Sequence, residues 1–310
     1  MAKTVRETIK NITRRHLQQG SKCFGQCLTA VGWVGGTLPE LYEEDGMIEL
    51  SMADVAGGGI VVGAALSGGR PIYVTRYQGF QWYNSPIIVN YAMKSKEIWN
   101  KPCPMLLRSV AMEGGIGPVA GSSHHSIYQR MPGVKILSPM TPKEYEFAYK
   151  DFMDNDDVYY ISEHRKSYDN TDEFKNIIHQ NPDITLFPIS ITRFAAEEAR
   201  AELESQEIKV NIIHQLWIKP FIFHEEWQRS LNNSKYGGIV LDDDYEEGAA
   251  SSIAHSMMMS INKKVRTMGL KHRTAGFHPD VDNLPPSKDE IIDRVVSIVA
   301  RHQDRNINNV

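Results

Sequence analysis

Three consecutive glycines stand at the start of a helical pattern and limit what can surround it. The run Glu49-Leu-Ser-Met-Ala-Asp-Val-Ala-Gly-Gly-Gly-Ile-Val-Val-Gly-Ala-Ala-Leu66 sets Gly57, Gly58 and Gly59 ahead of a small-residue stretch, residues 60–66. A helix with so little side chain packs against its neighbours with almost nothing in the way. The run ends in Ser67-Gly-Gly-Arg-Pro-Ile72, a turn into a strand. Asp54 stands just before the glycines, so the mouth of this helix can present a carboxylate to a ligand. Aspartate is also a common helix cap, and the residues alone leave both readings open.

Around this run, strand and helix patterns alternate. Residues 5–19 read as a helix closed by Gly20, and residues 31–37 as a glycine-rich loop. Strands are expected at 72–75, 105–110, 134–137 and 158–161. A helix pattern runs through Ile87, Val89, Met93 and Ile98, and another opens at Thr141-Pro142 with proline in its first turn. Residues 166–183 are polar without a clear period and read as a linker. A second alternating series follows, with strands at 184–191, 208–213 and 238–241 and helices at 195–204, 247–259 and 287–301. Ser287 caps the last helix, and Asp289 and Glu290 lie in its first turn. Such alternation implies parallel sheets with helices on both faces. The expectation is an α/β chain of two doubly wound domains, residues 1–165 and 184–310.

The chain has 310 residues, 41% hydrophobic and 23% charged, which suits two globular domains. A formal net charge of -4 argues against a nucleic-acid or anionic-membrane surface. No signal peptide and no apolar membrane span are expected, and a cytoplasmic location follows. Cys23, Cys27 and Cys103 lack paired metal spacing and read as reduced structural cysteines; no metal ligand set is expected.

With Asp54 ahead of Gly-Ile-Val-Val-Gly-Ala-Ala65, the chain resembles the pyrimidine-binding domain of thiamine-diphosphate enzymes, and in particular the beta subunits of 2-oxo-acid dehydrogenase first components. The resemblance extends over nearly the whole chain. The opening Thr4-Val-Arg-Glu-Thr, the stretches beginning at Ile184 and Val210, and Leu284-Pro-Pro-Ser-Lys-Asp-Glu-Ile-Ile292 are similar to the family in order and spacing. Residues 1–165 would then be the pyrimidine-binding domain, and residues 184–310 a transketolase C-terminal-like domain.

The resemblance implies roles for particular residues. The family's acid is a glutamate that bonds the pyrimidine ring nitrogen and stabilises the tautomer acting as base; Asp54 stands in its place, one methylene shorter. Tyr77, Phe80 and Tyr83, spaced by three, would form the aromatic box around the aminopyrimidine. Without that context they read as an ordinary core or interface cluster. The loop Glu113-Gly-Gly-Ile-Gly-Pro-Val-Ala-Gly-Ser-Ser-His-His-Ser126 ends like the family's His-Ser loop. His125 matches its histidine, which handles protons or substrate oxygen, and His124 is its neighbour; adjacent side chains diverge, so one of the pair is expected in the site. The chain departs from the family in two further ways. Only residues 127–131 separate the His125-Ser126 end of this loop from Pro132, a shortening on the substrate side, and Gly25-Gln26-Cys27 lacks an expected acid. Asp242-Asp-Asp-Tyr-Glu-Glu247 reads as a solvated helix start.

No Gly-Asp-Gly occurs in the sequence, so the diphosphate and its Mg2+ would be held mainly by an alpha-like partner subunit, in a two-plus-two heterotetramer. The function implied is a beta-like subunit acting on a 2-oxo acid, by cleavage or decarboxylation with transfer of the acyl or aldehyde unit. A split transketolase moving a two-carbon ketol unit between sugars is the alternative. A scaffolding paralogue without catalysis is the third reading.

Overall fold

The computed structural model describes residues 2–30, 32–113, 121–274 and 283–307. From the N-terminus come α1 (Val5–Gln18), β1 (Cys23–Gly25), β2 (Met47–Glu49), α2 (Asp54–Leu66) and β3 (Ile72–Thr75). Next are α3 (Gln81–Ile87), α4 (Met93–Trp99), β4 (Met105–Ala111), α5 (Ser126–Gln129), β5 (Val134–Leu137), α6 (Pro142–Asp154) and β6 (Val158–His164). Then follow β7 (Ile184–Pro188), α7 (Thr192–Ser205), β8 (Val210–Ile212), β9 (Trp217–Lys219) and α8 (Glu225–Asn233). The chain ends with β10 (Gly238–Tyr245), α9 (Ala249–Ser260), β11 (Val265–Leu270) and α10 (Lys288–Ile307).

These elements form two compact units. The first holds residues 2–173 together with 216–220; the second holds 174–215, 221–274 and the C-terminal helix. In the first unit a seven-stranded sheet runs β2-β1-β3-β4-β6-β5-β9, parallel except for β9, which is antiparallel to β5. The second unit has a parallel four-stranded sheet, β11-β10-β7-β8. The fold class is therefore the α/β class, with mostly parallel sheets, that the alternating pattern implied.

Alternation along the strands sorts the first unit's side chains. Ile72, Val74, Leu106, Tyr159 and Ile161 join the apolar face of α1 and residues of α6 in one buried cluster. The intervening residues Tyr73, Ser109, Tyr160 and Ser162 carry hydroxyls to other partners, described below. Local signals set the helix ends. Thr4 and Glu7 form a capping box at α1, and Thr141 caps α6 with Pro142 in its first turn. Ser287 and Glu290 exchange the same pair of bonds ahead of α10.

Two sequence expectations change here. The helix expected through residues 87–98 is two helices, α3 and α4, joined by one π-helical segment, Ile88–Ala92. Pro86 lies inside α3, where it has no N–H for the regular ladder. The Asp242 run is not a solvated helix start. Asp242, Asp243 and Asp244 are buried on β10, which runs on to Tyr245, and α9 begins only at Ala249. Their carboxylates take donors from the protein: Asp242 accepts from the Asp244 N–H at 3.3 Å, Asp243 from Ser190 Oγ at 2.7 Å, and Asp244 from the Tyr245 N–H at 2.7 Å. Within the polar stretch 166–183, Tyr168 is buried and donates to Glu163 at 3.0 Å, and Ile177 pairs with Ile212.

Candidate active site

Open α/β sheets gather ligands outside the carboxyl ends of their strands, where the strand order reverses. The first unit's order reverses around β1, and the segments leaving β1, β2, β3 and β4 carry Gln26, Asp54, Tyr77 and Met112. Asp54 is the first residue of α2. The capping position belongs to Ala53, which has no side-chain cap bond, so the reading of Asp54 as a cap does not hold. Its Oδ1 instead accepts from Gln26 Nε2 at 3.1 Å and Asn84 Nδ2 at 3.5 Å. Among the described residues these are its only hydrogen-bond partners, and Oδ2 has none. Asn84 is itself held: its Oδ1 accepts from the Tyr73 hydroxyl at 2.7 Å, and its Nδ2 also reaches Phe80 O at 3.2 Å. Burial pushes the Tyr73 phenol up, and the Asp54 charge adds to it.

The glycines of α2 make room for this chain of bonds. A Cβ on Gly58 would lie 3.0 Å from Asn84 Oδ1, and one on Gly57 would lie 3.4 Å from the Tyr73 hydroxyl. Gln26, which the sequence showed only as a missing acid, is a donor: an amide there supports the Asp54 carboxylate, where a second carboxylate would repel it. Asn84 went unread. Its one signal was a polar residue four positions after Phe80, within an aromatic segment.

The aromatic trio comes together. Tyr77 and Phe80 have ring centroids 5.9 Å apart, and Phe80 and Tyr83 6.5 Å. Tyr77 and Phe80 are partly buried, Tyr83 is about half exposed, and the Arg76 guanidinium lies 5.0 Å from the Tyr77 ring centre. The two histidines part. His124 is partly buried, edge-on to Trp82 with centroids 5.9 Å apart. His125 is fully buried, with Nδ1 3.2 Å from Ser162 Oγ. Residues 114–120 of the expected glycine loop, and Val31 of the earlier one, lie outside the described residues.

Val34, Arg76, Tyr77, Met112 and Arg165 line a cavity of about 340 Å³. Beside it, Glu113 pairs with Lys166 and lies 3.9 Å from His164 Nε2. Burial drives the His164 imidazole down to about 3, so it is neutral at physiological pH. The cysteines play no part in this arrangement. Cys23 and Cys103 are buried free thiols, pushed by burial up to about 12 and about 11.

The donor set suits a flat, nitrogen-containing ring. One carboxylate oxygen is held by the protein and the other meets no donor among the described residues, with three aromatic rings in the next segment. Fold and site together define a doubly wound α/β chain with an acid at the mouth of a glycine-bearing helix. The chain belongs to the family of the transketolase pyrimidine-binding domain, whose family model matches residues 15–171. It is 24% identical to the 2-oxoisovalerate dehydrogenase subunit beta of Bacillus subtilis, over 90% of both chains. With the acetoin:2,6-dichlorophenolindophenol oxidoreductase subunit beta of Cupriavidus necator it shares 21% identity, covering 82% of this chain and 81% of that one. Among solved structures, a split-gene transketolase, described as an inactive beta4 tetramer, superposes with a TM-score of 0.73 at 14% identity, covering 97% of this chain and 99% of that one. Transketolase from Campylobacter jejuni gives the same TM-score at 16% identity, over 96% of this chain and 47% of that one.

Proposed function

We propose that this chain is the beta-type subunit of a thiamine-diphosphate-dependent heteromer that cleaves or decarboxylates a 2-oxo acid and passes on the acyl or aldehyde unit. The observation that carries the reading is Asp54, with Oδ1 held by Gln26 and Asn84 and Oδ2 left for a ring nitrogen. When bound, the cofactor supplies a carbanion nucleophile. Asp54 would hold the proton at the pyrimidine ring nitrogen, and Tyr77, Phe80 and Tyr83 would flank the ring and exclude water. His125, with His124 beside it, would serve the substrate's oxygen. Arg76 and Arg165 give the neighbouring cavity positive charge, which suits a carboxylate. Of these relatives, the 2-oxoisovalerate dehydrogenase subunit beta supports the 2-oxo acid over a ketose.

The partner in this reading is an alpha-like subunit that holds the diphosphate and Mg2+, paired two-plus-two; the sequence has no Gly-Asp-Gly of its own. Residues 1–165 would be the cofactor-facing domain and residues 184–310 the transketolase C-terminal-like one. The location proposed is cytoplasmic; among the described residues no helix is long and apolar enough to cross a membrane. Calorimetric titration with thiamine diphosphate and Mg2+ tests the half-site. Weak or no binding is expected for the chain alone, and tight binding once the partner is added. Tight binding by the chain alone would sink it.

A further inference from the structure

A buried amide that uses all of its hydrogen-bonding positions ties the aromatic segment to the histidine segment. Gln78 is 1% exposed. Its Oε1 accepts from the His124 backbone N–H at 2.6 Å and from the Tyr160 hydroxyl at 3.0 Å. Its Nε2 donates to Ser109 O at 3.2 Å and to Ser162 Oγ at 2.8 Å. A backbone N–H only donates and a carbonyl only accepts, so these partners fix which end of the amide is oxygen. Gln81 repeats the arrangement one turn on, donating to Ser109 Oγ at 2.8 Å and accepting from the Tyr128 hydroxyl at 2.7 Å.

The polarity of this chain of bonds reaches His125. Ser162 Oγ receives a hydrogen from Gln78, and its own hydrogen needs an acceptor. Among the described residues the acceptor within reach is His125 Nδ1, 3.2 Å away. Nδ1 then carries no hydrogen, and in the neutral ring the hydrogen sits on Nε2. We infer that Gln78 and Ser162 are positioning residues that leave His125 Nδ1 without a hydrogen, so that the ring hydrogen sits on Nε2. The register supports this: Ser109 and Ser162 are direct partners on β4 and β6, so both of Gln78's donor targets lie on one rung of the sheet. Any part that this hydrogen plays toward a substrate rests on the function proposed above; the tautomer does not.

Ring-nitrogen NMR of the 15N-histidine-labelled full chain reads the tautomer without cofactor, partner or substrate. The expected result is an unprotonated Nδ1 and a protonated Nε2 on His125. Ser162→Ala should move the Nδ1 resonance, whereas Ser162→Thr, which keeps the hydroxyl, should leave it in place. A protonated Nδ1 in the parent, or an Nδ1 signal unmoved in Ser162→Ala, overturns the inference. In the assembled heteromer Ser162→Ala should lower kcat about tenfold with little change in KM, and Ser162→Thr should restore it. If the tautomer is as inferred but kcat does not fall, the substrate role of His125 fails and the positioning stands.

Discussion

Asp54 is a short acid met by two amides from the protein side. Asp54→Asn should keep the fold, because a neutral amide fills the same space. It should cost about a hundredfold or more in turnover of the assembled enzyme, since Asn supplies no negative charge to a protonated ring nitrogen. Steady-state rates with the partner present check this, and full activity in the variant would remove Asp54 from catalysis. Asp54→Glu separates two geometries: activity falls if the pocket has closed around the shorter acid, and holds or rises if it has not. At this scale the sequence showed the acid and the rings, because each has a recognisable spacing from the glycines or from β3. It did not show the supports. Gln26 lies 28 residues before Asp54 and Asn84 lies 30 after it, and such pairings exist only once the strands are side by side.

At the scale of elements, α2 is the part whose composition is most constrained, and its glycines are not equivalent. A Cβ on Gly58 would press on Asn84 at 3.0 Å, while one on Gly63 would meet nothing within 4 Å. Alanine at either position gains helix propensity, by about 1 kcal/mol. At Gly58 the crowding of Asn84 should offset that gain, at about 1–3 kcal/mol. Thermal unfolding of the chain is therefore expected to show Gly58→Ala less stable and Gly63→Ala more stable than the parent; equal shifts would rule out the close contact. Long elements such as α1, α6 and α10 were legible from periodicity and caps. The π-helical segment before α4 and the burial of Asp242–Asp244 were not, because both depend on what packs around them rather than on local pattern.

For the molecule as a whole, two buried histidines make stability depend on acidity. Burial holds His16 down to about 4 and His164 to about 3, both below the usual value of an exposed histidine, about 6.5. The unfolded chain binds these protons first. Stability is therefore complete above about pH 6.5 and falls as the pH drops toward the folded values. For His16 the loss is on the order of 3 kcal/mol. Urea unfolding at a series of pH values should show this slope, and His16→Gln should flatten it; an unchanged slope in that variant would exclude His16 as a source. The division into two sheets was readable from the alternation of patterns, but the return of residues 216–220 to the first was not, because three residues of strand carry too little pattern to say which sheet they join. That return has a consequence for the order in which the protein can be made. The chain leaves the first unit at Glu173, builds β7, α7 and β8, and only then supplies β9. During synthesis the outer edge of β5 therefore has no strand beside it until residue 219 has been added. A ribosome stalled anywhere between 173 and 216 would display an N-terminal unit whose β5 edge lacks its partner strand, a surface for chaperones or for unwanted pairing with other chains.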